Sequence, residues 1–133
     1  MNIDRRHIYG IMVDTETANT IEDNGKLDMM MVQRSCDMFL GVPFNIASGA
    51  ALLTLIAHHT GYVPGKFHWV GNCCHLYENH IEQDKELIVR EPYAFPKLEV
   101  NWKDNIGDYL KTDFTIVDYN HHPKLTGPLS VGV

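Results

Sequence analysis

Residues 7–14, HIYGIMVD, run apolar or alternate, with β-branched and aromatic side chains, and predict a β-strand. The next stretch, TETANTIEDNG (15–25), is polar and ends in Asn-Gly, a loop or hairpin signal. KLDMMMVQRS (26–35) then predicts the returning strand. Residues 45–60, NIASGAALLTLIAHHT, are apolar nearly all round: Ile46, Ala50, Leu53 and Ala57 share one face, and Leu52, Leu55 and Ile56 widen it. That pattern predicts a buried helix, stopped by Gly61. GKFHWVGNC (65–73) predicts a short strand. LYENHIEQDKELIVRE (76–91) places Tyr77, Ile81 and Ile88 on one stripe with charges opposite, an amphipathic helix that Pro92 and Pro96 end. KLEV (97–100) and DFTIVDY (113–119) predict strands, with a short helix expected near Ile106–Leu110. The tail from residue 120 has a loop composition. The order of strands, helix, strand, helix and strands implies an α+β fold, with one main mixed sheet packed by a buried helix and a second, amphipathic helix.

Length and charge narrow the field. A chain of 133 residues fits a single domain, 1–133. A net charge of −6 argues against general binding to nucleic acid or anionic membranes, because phosphates would be repelled. No apolar run approaches the roughly 20 residues of a membrane span, and the start lacks the apolar stretch of a secretory signal. Three cysteines, two of them adjacent, make a poor disulfide framework and match no zinc spacing, so Cys36, Cys73 and Cys74 are expected to be reduced thiols in a cytoplasmic protein.

QRSCDMFLGVPFNIASGA (33–50) sets polar residues among core-like ones, and buried polar groups are costly without partners. Arg34 and Ser35 together suit a phosphate or carboxylate, or Arg34 forms a structural salt bridge. Asn45, ahead of the apolar helix, is either an N-cap or an amide that offers a donor and an acceptor to a polar heterocycle. His75 and Tyr77 suit a sugar hydroxyl, or else cap a helix and fill a core. The rings of His58-His59 and His121-His122 splay apart at adjacent positions, so no metal is expected. Free cysteines are usually small core residues, and Cys36 is expected to face the core.

Read together, QRSCDMFLGVPFNIAS (33–48), HLYENHIEQ (75–83), REPYAFPKLEV (90–100) and HHPKLTGPLSV (121–131) resemble the thymidylate synthase family in order and spacing, over about residues 26–131. The resemblance implies a thymidylate synthase-like fold, present in part, and methylation of deoxyuridylate with 5,10-methylenetetrahydrofolate. It implies that Arg34 and Ser35 bond the nucleotide phosphate, with Arg34 near the attacking sulfur. Asn45 would read the uracil edge, and Gln33 would support the base-side network. Asp37 would contact the folate ring region and the nucleotide-side backbone, and His75 and Tyr77 would bond the deoxyribose hydroxyl.

This sequence also departs from the family. The family's nucleophile lies in a Pro-Cys-His motif; here the matching stretch is Arg5-Arg6-His7, so His7 fits the family's histidine and Arg6 stands in place of the cysteine. Residues 15–25 look like an inserted hairpin loop. Cys73 stands where the family usually has an acid, and Gly132-Val133 follow the family's usual end. The chain is therefore expected to supply the nucleotide-binding half of such an enzyme, and to be inactive alone. Its expected partner is a second copy or a separate N-terminal half. A catalytically dead, nucleotide-binding or dimer-forming paralogue and a deoxyuridylate hydroxymethylase are the alternatives.

Overall fold

The first sheet is built on one long central strand, β2 (Lys26–Asp37), with β1 (His7–Asp14) antiparallel on one side and β3 (Val63–His75) parallel on the other. The computed structural model describes residues 25–129 in full and only the backbone of residues 7–14; Arg5, Arg6, the expected loop up to residue 24, and residues 130–133 with Gly132-Val133 lie outside the described residues. The chain divides into two compact units, Met1–His75 and Leu76–Val133.

In the first unit, alternation along β2 buries Leu27, Met29, Met31 and Gln33 on one face. Helix α1 (Val42–Thr60) crosses from β2 to β3 and packs on the sheet. Leu27, Met29, Leu53 and Ala57 form the core, and Leu52, Ile56, Tyr62 and Phe67 surround it. Each large side chain buried there contributes about 1.5–3 kcal/mol. The helix lies close to the sheet because Gly49 has no side chain: a Cβ there would stand 2.3 Å from the Phe67 ring.

Two features of α1 differ from the sequence expectation. It begins at Val42 rather than Asn45, because Pro43 falls in the first turn, where a missing N–H costs nothing. It is also not buried all round. Val42, Gly49, Leu53 and Ala57 are buried, while Phe44 is 72% and Ile46 37% exposed, because the sheet covers only one face. The helix ends at Gly61 as expected, in the left-handed conformation (φ 77°), with Tyr62 N–H donating back to Ala57 O. β2 and β3 both run further than the expected 26–35 and 65–73. Their register shifts between Leu27 and Met29, where the Asp28 carboxylate accepts from Lys66 N–H at 2.6 Å.

The second unit opens with a 3-10 turn, Glu78–His80, that runs into α2 (Ile81–Ile88), so the helix is shorter than the expected 76–91. β4 (Lys97–Val100) and β5 (Phe114–Val117) pair antiparallel in a separate two-stranded sheet. The helix expected near Ile106–Leu110 is a turn instead. Asp108 N–H bonds Asn105 O, and Asn105 Nδ2 bonds Asp108 Oδ2, local contacts that compete with helix. A 3-10 turn follows at Lys111–Asp113. The buried Asp113 carboxylate closes this excursion, accepting from Leu110 N–H, Asn101 Nδ2 and Lys103 Nζ.

Residues 120–129 have no regular structure, so their carbonyls need partners from elsewhere. His80 Nε2 donates to Pro128 O at 2.7 Å, Gln83 Nε2 to Thr126 O at 3.2 Å, and Arg90 Nη1 to Pro123 O at 2.7 Å. A carbonyl oxygen only accepts, so His80 carries its proton on Nε2. These side chains, at spacings of three and seven, form one polar stripe along α2 and its flanks. Among the described residues, no helix is long and apolar enough to cross a membrane.

Candidate functional site

The polar cluster of the first unit is organised by Gln33, which is only 3% exposed. Its Oε1 accepts from Trp69 Nε1 at 3.0 Å. Its Nε2 donates to Ser35 O at 2.9 Å and to Asn45 Oδ1 at 3.0 Å. Both amide hydrogens and the carbonyl are thus used, and the orientation of the Asn45 amide is set: Oδ1 faces Gln33. Asn45 is not the N-cap, a position that Gly41 holds, so the capping alternative fails. Sequence reasoning missed Trp69, whose indole N–H needs a partner at a half-buried position.

Beyond Gln33 the alternation of β2 breaks. Arg34 and Ser35 are both exposed and Cys36 is fully buried. Cys36 Sγ donates to Gln33 O at 3.3 Å, three residues back. A straight strand would carry that carbonyl about 10 Å away, so β2 kinks here. β3 kinks at the same level: a Cβ on Gly71, the register partner of Gln33, would stand 2.6 Å from Cys74 Sγ, and Cys74 is the partner of Cys36. Because both strands kink together, their register survives. The kink is what turns Arg34 and Ser35 outward in succession. Among the described residues no carboxylate pairs with Arg34, so the salt-bridge alternative has no support there.

At the ends of the two strands, Asp37 and His75 are register partners, and Met38 N–H bonds His75 O at 3.0 Å. Asp37 Oδ1 accepts from Phe39 and Leu40 N–H, both at 3.1 Å, and so shapes the turn into α1; Oδ2 remains for another donor. His75 Nδ1 lies 3.2 Å from Cys73 O, a geometry that puts the proton on Nδ1. His75 closes β3 and caps no helix. On the other side of β2, the backbone of His7 pairs with Gln33; its side chain lies outside the described atoms. The first unit thus brings together the positions of Gln33, Arg34, Ser35, Asp37, Asn45 and His75, with His7 on the same rung as Gln33.

Tyr77 belongs to the second unit. It precedes the 3-10 turn, without a side-chain cap, and its ring meets the buried His80 edge-on at 5.8 Å. An open pocket of about 450 Å³ in that unit is lined by Arg90, Tyr93, Tyr119 and His122, but Arg90 is already bonded to Glu86 and Pro123 O.

Cys36, Cys73 and Cys74 are free thiols. Burial pushes the Cys36 thiol up from its ordinary pKa, and the adjacent Cys74 thiol adds to the shift. Cys36 is therefore a poor nucleophile. Among the described residues, no three His, Cys, Asp or Glu side chains gather as metal ligands.

Residues 7–131 match the family model described as thymidylate synthase. The thymidylate synthase of Corynebacterium aurimucosum is 44% identical over 108 residues, which cover 81% of this chain and 40% of that protein. The chain thus spans well under half the length of that relative. The matched region runs from β1 into the tail and includes the kinked strands, the Gln33 network and the clamped tail, so the chain belongs to the thymidylate synthase family.

Proposed function

We propose that this chain supplies the nucleotide-binding half of a site that methylates deoxyuridylate with methylenetetrahydrofolate. The observation that carries this reading is the Asn45 amide held by Gln33. A carbonyl oxygen has two lone pairs, so Asn45 Oδ1 can accept from Gln33 and from the N3–H of uracil while Nδ2 donates to the uracil O4. Cytosine presents the opposite pattern. Reading it would require the amide to flip, which would set Asn45 Nδ2 against Gln33 Nε2, donor against donor.

The remaining roles follow from placement. Arg34 and Ser35, turned outward by the kink, are disposed for a phosphate dianion. His75, at the end of β3, is disposed for the deoxyribose hydroxyl, a role that the family resemblance also gives to Tyr77. His7, on the same rung as Gln33, belongs to the base side. Methylenetetrahydrofolate would supply the one-carbon unit and the hydride, and the uncommitted Asp37 Oδ2 fits an N–H of its pterin ring.

The nucleophile is the missing part. Arg6 stands where the family has cysteine, and a guanidinium cannot attack a pyrimidine. Cys36 is buried with its thiol kept neutral. Without covalent catalysis, positioning alone leaves most of the barrier. The chain on its own is therefore inactive, and it acts beside a second copy or a separate N-terminal half.

The test is tritium release from ring-labelled deoxyuridylate with methylenetetrahydrofolate. Release is expected only when an N-terminal half bearing the Pro-Cys-His motif is added. Nucleotide binding without release under that condition would favour a non-catalytic paralogue. Release by the chain alone would overturn the assignment of Arg6.

A further inference from the structure

Cys36 and Cys74 are register partners on adjacent parallel strands, and both lie at the kink shared by β2 and β3. Directly paired residues on neighbouring strands are about 4.8 Å apart, within the roughly 4.4–6.8 Å Cα separation that a disulfide spans. The neighbouring Cys74 thiol adds to the upward shift that burial gives the Cys36 thiol. Cys36 is fully buried and Cys74 is exposed. The proposed chemistry uses neither thiol, and in a straight pair of strands the two sulfurs would have no reason to be gathered together with Gln33 O and the bare face of Gly71.

We propose that Cys36 and Cys74 form a reversible, peroxide-driven disulfide between β2 and β3. Cys74, open to solvent, attacks hydrogen peroxide: its S–H and the peroxide O–O bond break, an S–O bond forms, and water leaves with the sulfenic acid behind. Cys36 then displaces the sulfenic oxygen. The S–S bond forms, the S–O bond breaks, and the Cys36 proton leaves in a second water. Two electrons from the sulfur pair have reduced one peroxide, and a small dithiol returns them by exchange. Burial keeps the Cys36 thiol neutral and slow as a nucleophile, but its place beside Cys74 makes the second step intramolecular, and burial shields it from direct oxidation. Cys73 is the register partner of Ser35 rather than of Cys36, so it is the bystander. The bridge would close one residue beyond Ser35 and one before Asp37 and His75. The inference does not depend on the nucleotide reading, and its test uses no nucleotide.

The full chain is treated with hydrogen peroxide and digested with trypsin without reduction. Peptide 35–66, which holds Cys36, is expected to be linked to peptide 67–85, which holds Cys73 and Cys74. Fragmentation of the linked pair in the unsubstituted chain assigns the sulfur to Cys74. The link persists in Cys73→Ser, disappears in Cys74→Ser and is reversed by dithiothreitol. A link assigned to Cys73, a Cys73–Cys74 bond, a bridge between two copies, or oxidation to sulfinic acid without any link would each overturn the proposal.

Discussion

Gln33 Nε2 and Asn45 Oδ1, twelve residues apart in sequence, are joined by a 3.0 Å hydrogen bond from β2 to α1. The bond links a buried strand residue to a half-buried helix residue and leaves the outer edge of the asparagine amide for a ligand. Replacing Gln33 by Ala would strand the Trp69 indole N–H, the Ser35 carbonyl and the inner side of Asn45. An unmet buried polar group costs about 1–3 kcal/mol. Urea denaturation should therefore show Gln33→Ala destabilised within that range, and discrimination of uracil from cytosine should shrink with it.

Arg34→Ala should behave in the opposite way. Arg34 is exposed and no carboxylate among the described residues pairs with it, so unfolding should change little. Deoxyuridylate affinity should fall by about 1.5–3 kcal/mol, the usual worth of a charged hydrogen bond. Deoxyuridine, which lacks the phosphate, should bind both forms equally. A matching loss for the nucleoside would remove the phosphate role.

Gly49→Ala tests the packing of α1 on β3. The new methyl would overlap the Phe67 ring, 2.3 Å from its position, and overpacking of this kind costs about 1–3 kcal/mol. Adding Phe67→Leu should recover part of that loss in thermal unfolding. Recovery would be absent if the helix simply shifted away.

Two groups set opposite pH limits. Backbone N–H of Leu110, with Lys103 and Asn101, holds the Asp113 carboxyl below the usual carboxylate range. Its folded pKa is below the unfolded one, so its contribution is present above about pH 4 and is lost as pH falls further. Cys36 is shifted the other way, upward, chiefly by burial. The unfolded thiol ionises near about pH 8.5, so stability should decline as pH rises beyond that value. Asp113→Asn should flatten the acid limb of a stability–pH curve, and Cys36→Ala the alkaline limb.

Much of the fold is visible in local pattern. The alternation of Leu27, Met29 and Met31 marks β2, and the run through Leu53 and Ala57 marks α1. What pattern could not supply was long-range pairing. Nothing local to Asn45 says that its partner is Gln33, and the structural alternative of a cap was lost only when Pro43 proved to lie inside the helix. Ile106 and Leu110 have helical spacing, yet side chains of Asn105 and Asp108 close a turn there first. Nothing in the sequence of His80, Gln83 and Arg90 says that their side chains bond the carbonyls of Pro128, Thr126 and Pro123. The kink at Gln33–Cys36 depends on two strands bending in step, which one strand's sequence does not reveal.

The central claim, that this chain carries the deoxyuridylate-recognition half of the site, is tested most directly by calorimetric titration with deoxyuridylate and with deoxycytidylate under the same conditions. The account predicts that deoxyuridylate binds, that deoxycytidylate binds at least about fivefold more weakly, since a mismatched donor pair costs about 1–3 kcal/mol, and that Asn45→Asp narrows the gap. Equal affinity for the two nucleotides, or no heat with deoxyuridylate, would contradict it.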